Sequence, residues 1–241
     1  MNEIEKLQKI IDESNNIVFF GGAGVSTESG LKDFRSKDGL YNLKSKYGRP
    51  YEEMLSHHFF MEDPKTFYEF YKDFMLSEVK PNKAHIFLAD LEKKKNLTII
   101  TQNIDGLHQE AGSKNVLELH GSIKRNYCMR CHKFFSLEEL LSLKGDVPLC
   151  DRCGSLIKPD VVLYEEGLDN DVIEASLDAI TNADLFIIAG TSLSVYPAAS
   201  LVRYFKGKYL VVINKEHLYH VEGVDLEINA PVGETLSKIR L

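Results

Sequence analysis

Short apolar runs alternate with longer amphipathic segments along the chain. Runs rich in β-branched and aromatic residues predict strands, and apolar residues spaced three and four apart predict helices. Ile4, Leu7 and Ile11 show the helical spacing near the start of the chain. The predicted strands are 17-IVFF-20, 97-LTII-100, 116-VLEL-119, 160-DVVL-163, 184-DLFIIA-189 and 209-YLVVI-213. Strands that alternate with helices predict an α/β fold built on a doubly wound parallel sheet.

Amphipathic patterns predict the helices that belong with these strands. They cover parts of residues 50–77, and residues 84–94, 170–180 and 197–205. Residues 125–158 have little strand signal and hold all four cysteines. We interpret that segment as a smaller insertion into the sheet domain.

Composition limits the class of protein. The chain has 241 residues, which suits one large domain or a large domain with a smaller one attached. Its net charge of −7 argues against nonspecific nucleic-acid binding, because affinity for a polyanion comes largely from clustered Lys and Arg. The first helix has no signal-peptide core, and no apolar run is long enough to span a membrane. A cytoplasmic location is therefore the default expectation.

The cysteines form two Cys-x2-Cys pairs. Cys128 and Cys131 are separated from Cys150 and Cys153 by 18 residues, a spacing typical of a four-thiolate zinc site. Four thiolates close the tetrahedron and leave no position for a substrate, so this zinc would be structural. A redox pair or unpaired thiols are the alternatives.

Polar residues follow several predicted strands at the point where each strand ends. Ligands of parallel α/β sheets bind beyond the carboxyl ends of the strands, so these residues are expected to share a cleft. They are Gly22 to Ser26, Gln102, Asn103, Asp105, His120, Gly190, Thr191, Ser192 and Asn214.

Two of these features have competing interpretations. The spacing Gly22-x-Gly24 after a strand fits a phosphate-binding loop at the start of a helix, but a tight turn that needs positive φ is an equal alternative. His120 could be a general base or a structural hydrogen-bonding residue. Thr27 occupies the place of the third glycine in the dinucleotide-binding fingerprint. Thr27, Ser26 and Ser29 could also be simple helix caps.

Taken together, the motifs resemble those of the sirtuin family of NAD-dependent protein lysine deacylases. The resemblance rests on the two cysteine pairs and on 22-GAGVSTESGLKDFRS-36, 101-TQNIDGLH-108, 118-ELHG-121, 158-KPDVVLYEE-166, 190-GTSLSVYPAA-199 and 211-VVIN-214. It implies a Rossmann-like large domain, formed by about residues 1–35, 80–124 and 159–241. It also implies a smaller domain made of a helical insertion, about residues 36–79, and a zinc-binding module, about residues 125–158. NAD, consumed as a co-substrate, and an acyl-lysine peptide would meet between the two.

The resemblance also assigns roles to residues. His120 corresponds to the catalytic base, Asn103 orders the reactive ribose and Asp105 orients nicotinamide. Val161 and Leu163 correspond to the positions where a substrate peptide pairs as a strand. The implied NAD-binding residues are Gly22, Ala23, Gly24, Thr27, Phe34, Arg35, Gln102, Ile104, Asp105, His120, Gly190, Thr191, Ser192 and Asn214. One structural zinc per chain, held by the four cysteines, completes the set.

The implied activity is removal of acetyl groups from protein lysines, with nicotinamide and O-acetyl-ADP-ribose as products. Longer-chain deacylation and protein ADP-ribosylation are alternatives on the same fold. Family members that prefer succinyl or malonyl groups have a Tyr and an Arg three residues apart. Tyr68 and Tyr71 are present here without an Arg, so neutral acyl groups are expected. A monomer is favoured, and neither membrane nor specific nucleic-acid partners are expected.

Two departures from the family pattern and two rival functions accompany this interpretation. Lys32 replaces the usual Pro before Asp-Phe-Arg, and Leu163-Tyr164-Glu165 stands in place of Phe-Gly-Glu, which would put Tyr164 at the position of the glycine.

A dehydrogenase is the first rival function. It would need an acidic residue at a strand end about 20 positions beyond the glycines, and Asp38 instead lies in a Lys-Asp-Gly turn. A non-catalytic zinc-ribbon module that binds nucleic acid or protein is the second rival function. The polar residues at the strand ends argue against it, because such a module would not need them.

Overall fold

A six-stranded parallel sheet forms the larger part of the computed structural model, which describes residues 1–31, 47–74, 76 and 79–241. Its strands are β1 Asn16–Gly21, β2 Asn96–Thr101, β3 Val116–Glu118, β7 Leu185–Ala189, β8 Tyr209–Ile213 and β9 Leu226–Ile228. Their order in the sheet is β3-β2-β1-β7-β8-β9. Every neighbouring pair runs parallel, so the doubly wound sheet predicted from the sequence is confirmed.

Helices cover both faces of this sheet, which explains why its strands are apolar without alternation. Side chains alternate along β1, so Phe19 packs on one face and Phe20 on the other, each fully buried. The helices are α1 Glu3–Glu13, α2 Tyr51–Met54, α3 His57–Glu62, α4 Pro64–Phe74, α5 Lys83–Glu92, α6 Leu107–Glu110, α7 Leu137–Ser142, α8 Asn170–Thr181 and α9 Val232–Leu236. The described residues also form 3₁₀ segments at Ala23–Val25, Thr27–Ser29 and Ala198–Tyr204.

A second, three-stranded antiparallel sheet is not hydrogen-bonded to the first. It has the order β5-β4-β6, with β4 Gly121–Cys128, β5 Phe134–Ser136 and β6 Ile157–Val161. Its hydrophobic core includes an aromatic cluster from α3 and α4, in which Phe67 contacts the rings of Phe60, Tyr68 and Tyr71. The small sheet and the helices from residues 51–74 therefore share one core.

The strands differ from their predicted positions in one important place. Residues 160–163 were predicted as a strand among those of the large sheet, but the strand ends at Val161 and pairs antiparallel with β4. Apolar residues alone cannot distinguish a strand of one sheet from a strand of another. β4, β5 and β9 were not predicted, and the predicted helix over residues 197–205 is a 3₁₀ segment after a cis Tyr196–Pro197 bond.

Among the described residues, no helix combines the length and the apolar run that a membrane span requires.

Replacing Phe67 by Ala should destabilise the small core strongly. The side chain is fully buried against three aromatic rings, so we expect the free energy of unfolding to fall by about 3 to 5 kcal/mol. Phe134→Ala is the matched control, because Phe134 is 48% exposed, and it should cost about 1 kcal/mol or less. Urea denaturation followed by circular dichroism measures both. Equal losses in the two variants would contradict this description of the core.

Candidate functional site

The register of the large sheet brings the carboxyl ends of its strands to one level. Gly21, the last residue of β1, lies opposite both Thr101 of β2 and Ala189 of β7. Thr101 in turn lies opposite Glu118, and Ala189 opposite Ile213. The residues that follow these strands therefore emerge along one edge, as predicted for the cleft.

The glycine loop after β1 packs directly against the loop after β7. A Cβ on Gly22 would lie 2.7 Å from Thr191 Cβ, and one on Gly24 would lie 2.8 Å from Gly190 Cα. Gly24 N also donates to Gly190 O at 2.8 Å. Gly22 has φ −123° and Gly24 is likewise outside the positive-φ region, so the turn interpretation based on positive φ is wrong. Glycine is needed here because two backbones approach closely.

Ser26 connects the glycine loop to the polar residues after β2. Its hydroxyl donates to Asp105 Oδ2 at 2.7 Å and accepts from Asn103 Nδ2 at 3.0 Å. The other carboxylate oxygen of Asp105 accepts from Leu107 N at 2.9 Å. Ser26 makes no side-chain cap bond to the 3₁₀ segment that it precedes, so the alternative that it is a helix cap is wrong. Asn103 and Asp105 are thus held in one orientation before any ligand binds.

Gln102 links the same loop to two other strand ends. Its side-chain Nε2 donates to Thr191 Oγ1 at 3.1 Å. Its backbone carbonyl oxygen accepts from His120 Nδ1 at 2.9 Å. Three of the predicted site residues are therefore joined in one hydrogen-bonded chain. Thr191 is buried, while Gln102 and His120 are partly exposed at the edge.

The environment of His120 keeps its imidazole neutral. Burial lowers the pKa below the ordinary value of 6.5, although the bond to the Gln102 carbonyl acts in the opposite direction. A carbonyl oxygen only accepts, so Nδ1 carries the proton and Nε2 has the free lone pair. Among the residues that the structure describes, none hydrogen-bonds Nε2. A neutral imidazole with a free Nε2 is the state that a general base needs.

The other predicted NAD-binding residues differ in how fully they are engaged. Thr27 Oγ1 donates to Gly24 O, and Asn214 Nδ2 donates to Glu216 O. Ser192 is exposed with its hydroxyl 2.6 Å from Ser194 Oγ, and Ala23 is partly exposed beside the glycines. Ile104 packs partly buried against the core of the small sheet. Phe34 and Arg35, like Lys32 and Asp38, lie outside the described residues.

His85 belongs to this network and was not predicted. It lies in the first turn of α5, and its Nδ1 accepts from the backbone N of Asn82, which completes a capping box. Its Nε2 is 3.5 Å from Ser26 Oγ, and its ring is 4.7 Å from that of His108. Burial lowers the pKa of His85, against the opposing effect of Asp105. The order Asn82-x2-His85 after Pro81 is a helix-start signal, but nothing in it indicates a contact with Ser26.

The segment after β6 runs beside His120. Val162 N donates to His120 O at 3.0 Å, and Tyr164 N donates to Leu55 O at 2.9 Å. Val161 and Leu163, the two residues predicted to pair with a peptide, are buried in the small core. A short stretch of chain thus connects the residue predicted as base to the helices of residues 51–74.

The four cysteines lie close enough to hold one metal ion. Their sulfur atoms are all within 4.8 Å of one another, with Cys128 Sγ 3.4 Å from Cys153 Sγ and Cys131 Sγ 3.7 Å from Cys150 Sγ. Zinc–sulfur bonds of about 2.3 Å place tetrahedral sulfurs about 3.8 Å apart, so the donor set fits zinc. No disulfide joins any of the four.

The comparisons with known proteins agree with this arrangement. The model of the Sir2 family matches residues 22–197, which is most of the chain. The chain belongs to the Sir2 family. An NAD-dependent protein deacetylase of Clostridium acetobutylicum is 54% identical over 241 residues, which are 99% of this chain and 98% of that protein. The corresponding protein of Clostridium perfringens is 55% identical, with the same coverage.

Solved Sir2 structures share the whole fold. One, of a Sir2 variant with a deacetylated p53 peptide and 3'-O-acetyl ADP ribose, superposes with a TM-score of 0.86 at 39% identity. It covers 98% of this chain and 97% of that one. Another, of Sir2 with a p53 peptide and NAD+, has a TM-score of 0.84 at 39% identity and covers 98% and 96% of the two chains. The predicted resemblance to sirtuins is therefore confirmed.

Backbone geometry corrects one detail of the match to the Sir2 family pattern. A motif glycine is usually needed where φ is positive. Tyr164, predicted at the glycine of Phe-Gly-Glu, is outside that region, whereas Glu165 has φ +77°. The match therefore shifts by one residue, so that Tyr164, Glu165 and Glu166 stand for Phe, Gly and Glu.

Replacing Gly24 by Ala should disrupt the contact between the two loops. The new Cβ would lie 2.8 Å from backbone atoms of Gly190, which cannot move as a side chain can. We expect the free energy of unfolding to fall by about 1 to 3 kcal/mol, measured by urea denaturation. Gly167→Ala is the control, since a Cβ there meets nothing within 4 Å. Two variants as stable as the wild type would refute a steric role for Gly24.

Removing one thiolate should release the zinc. We expect the purified protein to contain one zinc per chain by mass spectrometry of the metal, and Cys150→Ser to lose most of it. Loss of a structural metal should lower the free energy of unfolding by about 4 kcal/mol or more. Lys144→Ser, at an exposed position between the cysteine pairs, should retain both metal and stability. Full zinc occupancy in Cys150→Ser would argue against a four-cysteine site.

Proposed function

We propose that this protein is an NAD-dependent lysine deacetylase that acts on acetylated proteins or peptides. The observation that carries the proposal is the neutral His120, whose Nδ1 is bound to the Gln102 carbonyl and whose Nε2 is free. His120 lies where the polar residues at the strand ends meet the segment after β6. Membership of the Sir2 family and the names of the curated relatives support the same activity.

The polar edge fits NAD by its hydrogen-bonding groups. The glycine loop at Gly22 and Gly24 stands beside hydroxyl and amide groups that suit phosphate and ribose oxygens. We assign the cofactor to Gly22, Ala23, Gly24, Thr27, Phe34, Arg35, Gln102, Ile104, Asp105, His120, Gly190, Thr191, Ser192 and Asn214. When bound, NAD supplies the ribose carbon to which the acetyl oxygen is transferred as nicotinamide leaves.

The residues of this chain orient the reactants and move one proton. The Asp105 carboxylate, fixed by Ser26 and Leu107, would hold the nicotinamide amide, and Asn103 would order the ribose. His120 would take a proton from a ribose hydroxyl onto Nε2. The resulting imidazolium is stabilised because its Nδ1–H already donates to the Gln102 carbonyl.

The acyl-lysine substrate would bind at the end of β6. We assign strand pairing of the peptide to Val161 and Leu163, beside the His120 carbonyl that Val162 N bonds. Tyr68 and Tyr71 are buried in the aromatic cluster, and the Tyr68 hydroxyl is bound to the Ile157 carbonyl. Neither is accompanied by an Arg, which supports a preference for neutral acyl groups.

Further properties complete the proposal. The zinc is structural, because four thiolates leave it no open position. The core shared by the small sheet and the helices of residues 51–74 supports a separate small domain, made of about residues 36–79 and 125–158. We further propose a cytoplasmic monomer without specific nucleic-acid partners, in line with its net charge of −7.

Incubation of an acetyl-lysine peptide with and without NAD tests the activity. We expect loss of the acetyl mass only with NAD, formation of O-acetyl-ADP-ribose, and a drop of at least about 100-fold in rate for His120→Ala, because a general base contributes about that much. Mass spectrometry follows all products. An intact acetyl peptide beside an ADP-ribosylated product, or removal only of longer acyl chains, would overturn the acetyl preference. NAD reduction would instead indicate a dehydrogenase, and absence of turnover a binding module.

The pH dependence of kcat/KM tests the state of His120. The base must be neutral, and burial lowers its pKa below 6.5, so activity should persist below pH 6.5 and be lost only as pH falls through the lowered pKa. The exposed His220, changed to Gln, should leave the profile unchanged. An acid limb centred above pH 6.5 would contradict this assignment.

A further inference from the structure

The carboxylate of Glu166 binds donors from three separate parts of the chain. Its Oε1 lies 2.7 Å from His57 Nδ1 at the start of α3. Its Oε2 lies 3.0 Å from Lys158 Nζ on β6 and 2.9 Å from Leu163 N. The side chain is only 21% exposed. One partly buried carboxylate thus joins the helices of residues 51–74, the small sheet and the segment assigned to the peptide.

The same residues hold the backbone of residues 161–164. Lys158 Nζ donates to Val161 O at 2.8 Å, and Glu166 N donates to Leu163 O at 3.0 Å. The turn between them includes Glu165 in the left-handed region, which is disfavoured for a residue with a Cβ. Contacts from outside the turn are therefore required to keep this conformation.

His57 attaches this turn to α3 by two bonds. Its backbone N donates to Tyr164 O at 3.0 Å, while its side chain binds Glu166. Ser56 and Tyr164 form an isolated parallel bridge next to these bonds. A shift of the Glu166 carboxylate would therefore move both α3 and the peptide-binding segment.

The carboxylate is ionised at neutral pH. Burial raises the pKa of Glu166, but the bonds from His57, Leu163 N and Lys158 outweigh it, so the pKa lies below the ordinary value. Hydrogen bonds to an ionised acceptor are about twice as strong as neutral ones, which suits a group that must fix a turn.

We propose that Glu166 is a positioning residue for the substrate. Through its bonds to His57 and Lys158, Glu166 holds the backbone of residues 161–163 in the conformation that pairs with the acyl-lysine peptide. This inference rests on the proposed function. Its consequence is selective: Glu166 acts on peptide affinity and leaves NAD binding unchanged. The donors to Glu166 come from α3, β6 and the residues after β6, and none comes from the glycine loop or the loop of residues 102–105.

The chain contains a matched control for the side-chain chemistry. His58 and Glu62 form a second His–Glu pair, at 3.4 Å, directly beside His57 on α3. Their side chains are 76% and 63% exposed. His58 reaches the segment after β6 only through its backbone N, which donates to Glu165 Oε2 at 2.9 Å, and a side-chain substitution keeps that bond. Changing this pair removes a His–Glu contact from the same helix without altering the turn.

The experiment compares Glu166→Gln and His57→Gln with Glu62→Gln and His58→Gln. Gln keeps the shape of Glu166 but places an amide N–H₂ against donors, so we expect KM and Kd for the acetyl peptide to rise about tenfold. KM for NAD and the melting temperature should stay close to wild type. His57→Gln should raise the peptide KM less and add little to Glu166→Gln, because both break the same contact. The two control variants should behave as wild type.

Kd for the peptide is measured by fluorescence anisotropy, which does not depend on turnover. An unchanged peptide Kd in Glu166→Gln, an equal rise in KM for NAD, or the same rise in the controls would overturn the inference. A wild-type protein that binds the peptide but never removes its acetyl group would refute the proposed function alone. In that case the Kd series still decides the role of Glu166.

Discussion

In the large sheet Gly21 lies opposite both Thr101 and Ala189, so three parallel strands end at the same level. This shared level is the constraint on which the rest of the site depends. Where strands end together, the next residues of each are neighbours although they are far apart in sequence. Gly24 N can therefore bond Gly190 O, and Gln102 can reach both Thr191 and His120. A slip of one residue in any of these pairings would turn the side chains of that strand to the opposite face.

Within this frame, several of the polar groups hydrogen-bond one another. Ser26 holds Asn103 and Asp105, and the Gln102 carbonyl fixes the tautomer of His120. Groups held in this way need little reorganisation when a ligand binds, which is the physical basis of preorganised catalysis. Nε2 of His120 has no hydrogen-bond partner among the described residues, and its free lone pair is what makes the histidine available for proton transfer.

The small sheet completes the site because the chain passes into it directly after His120. Gly121 begins β4 and pairs with Val161, so the two sheets join beside the proposed base. Arg125 reinforces the junction by bonding Glu118 of the large sheet and Asp160 of the small one, each at 2.7 Å. The zinc site and the aromatic cluster stabilise this smaller unit from within, and the Glu166 carboxylate links it to α3. The link between the small unit and α3 is thus also the contact that we propose to position the substrate.

The sequence by itself determined the parallel sheet, the cysteine site and the family. Buried strands of a parallel sheet are continuous apolar runs, zinc ligands have fixed spacing, and the motifs that follow β1, β2 and β7 are local strings of residues. Periodicity reports only whether a residue is buried. It could not assign β6 to the antiparallel sheet, and neither interpretation of Gly22 and Gly24, a phosphate-binding loop or a tight turn, included their close approach to the loop after β7.

Only the tertiary structure decided which residues meet. His85 contacts Ser26 across 59 positions, and His57 binds Glu166 across 109. The left-handed backbone at Glu165, which corrected the match to the family motif, follows from the turn that Glu166 closes. Contacts of this kind depend on how separate elements pack, and a local pattern of apolar and polar residues contains no information about the partner.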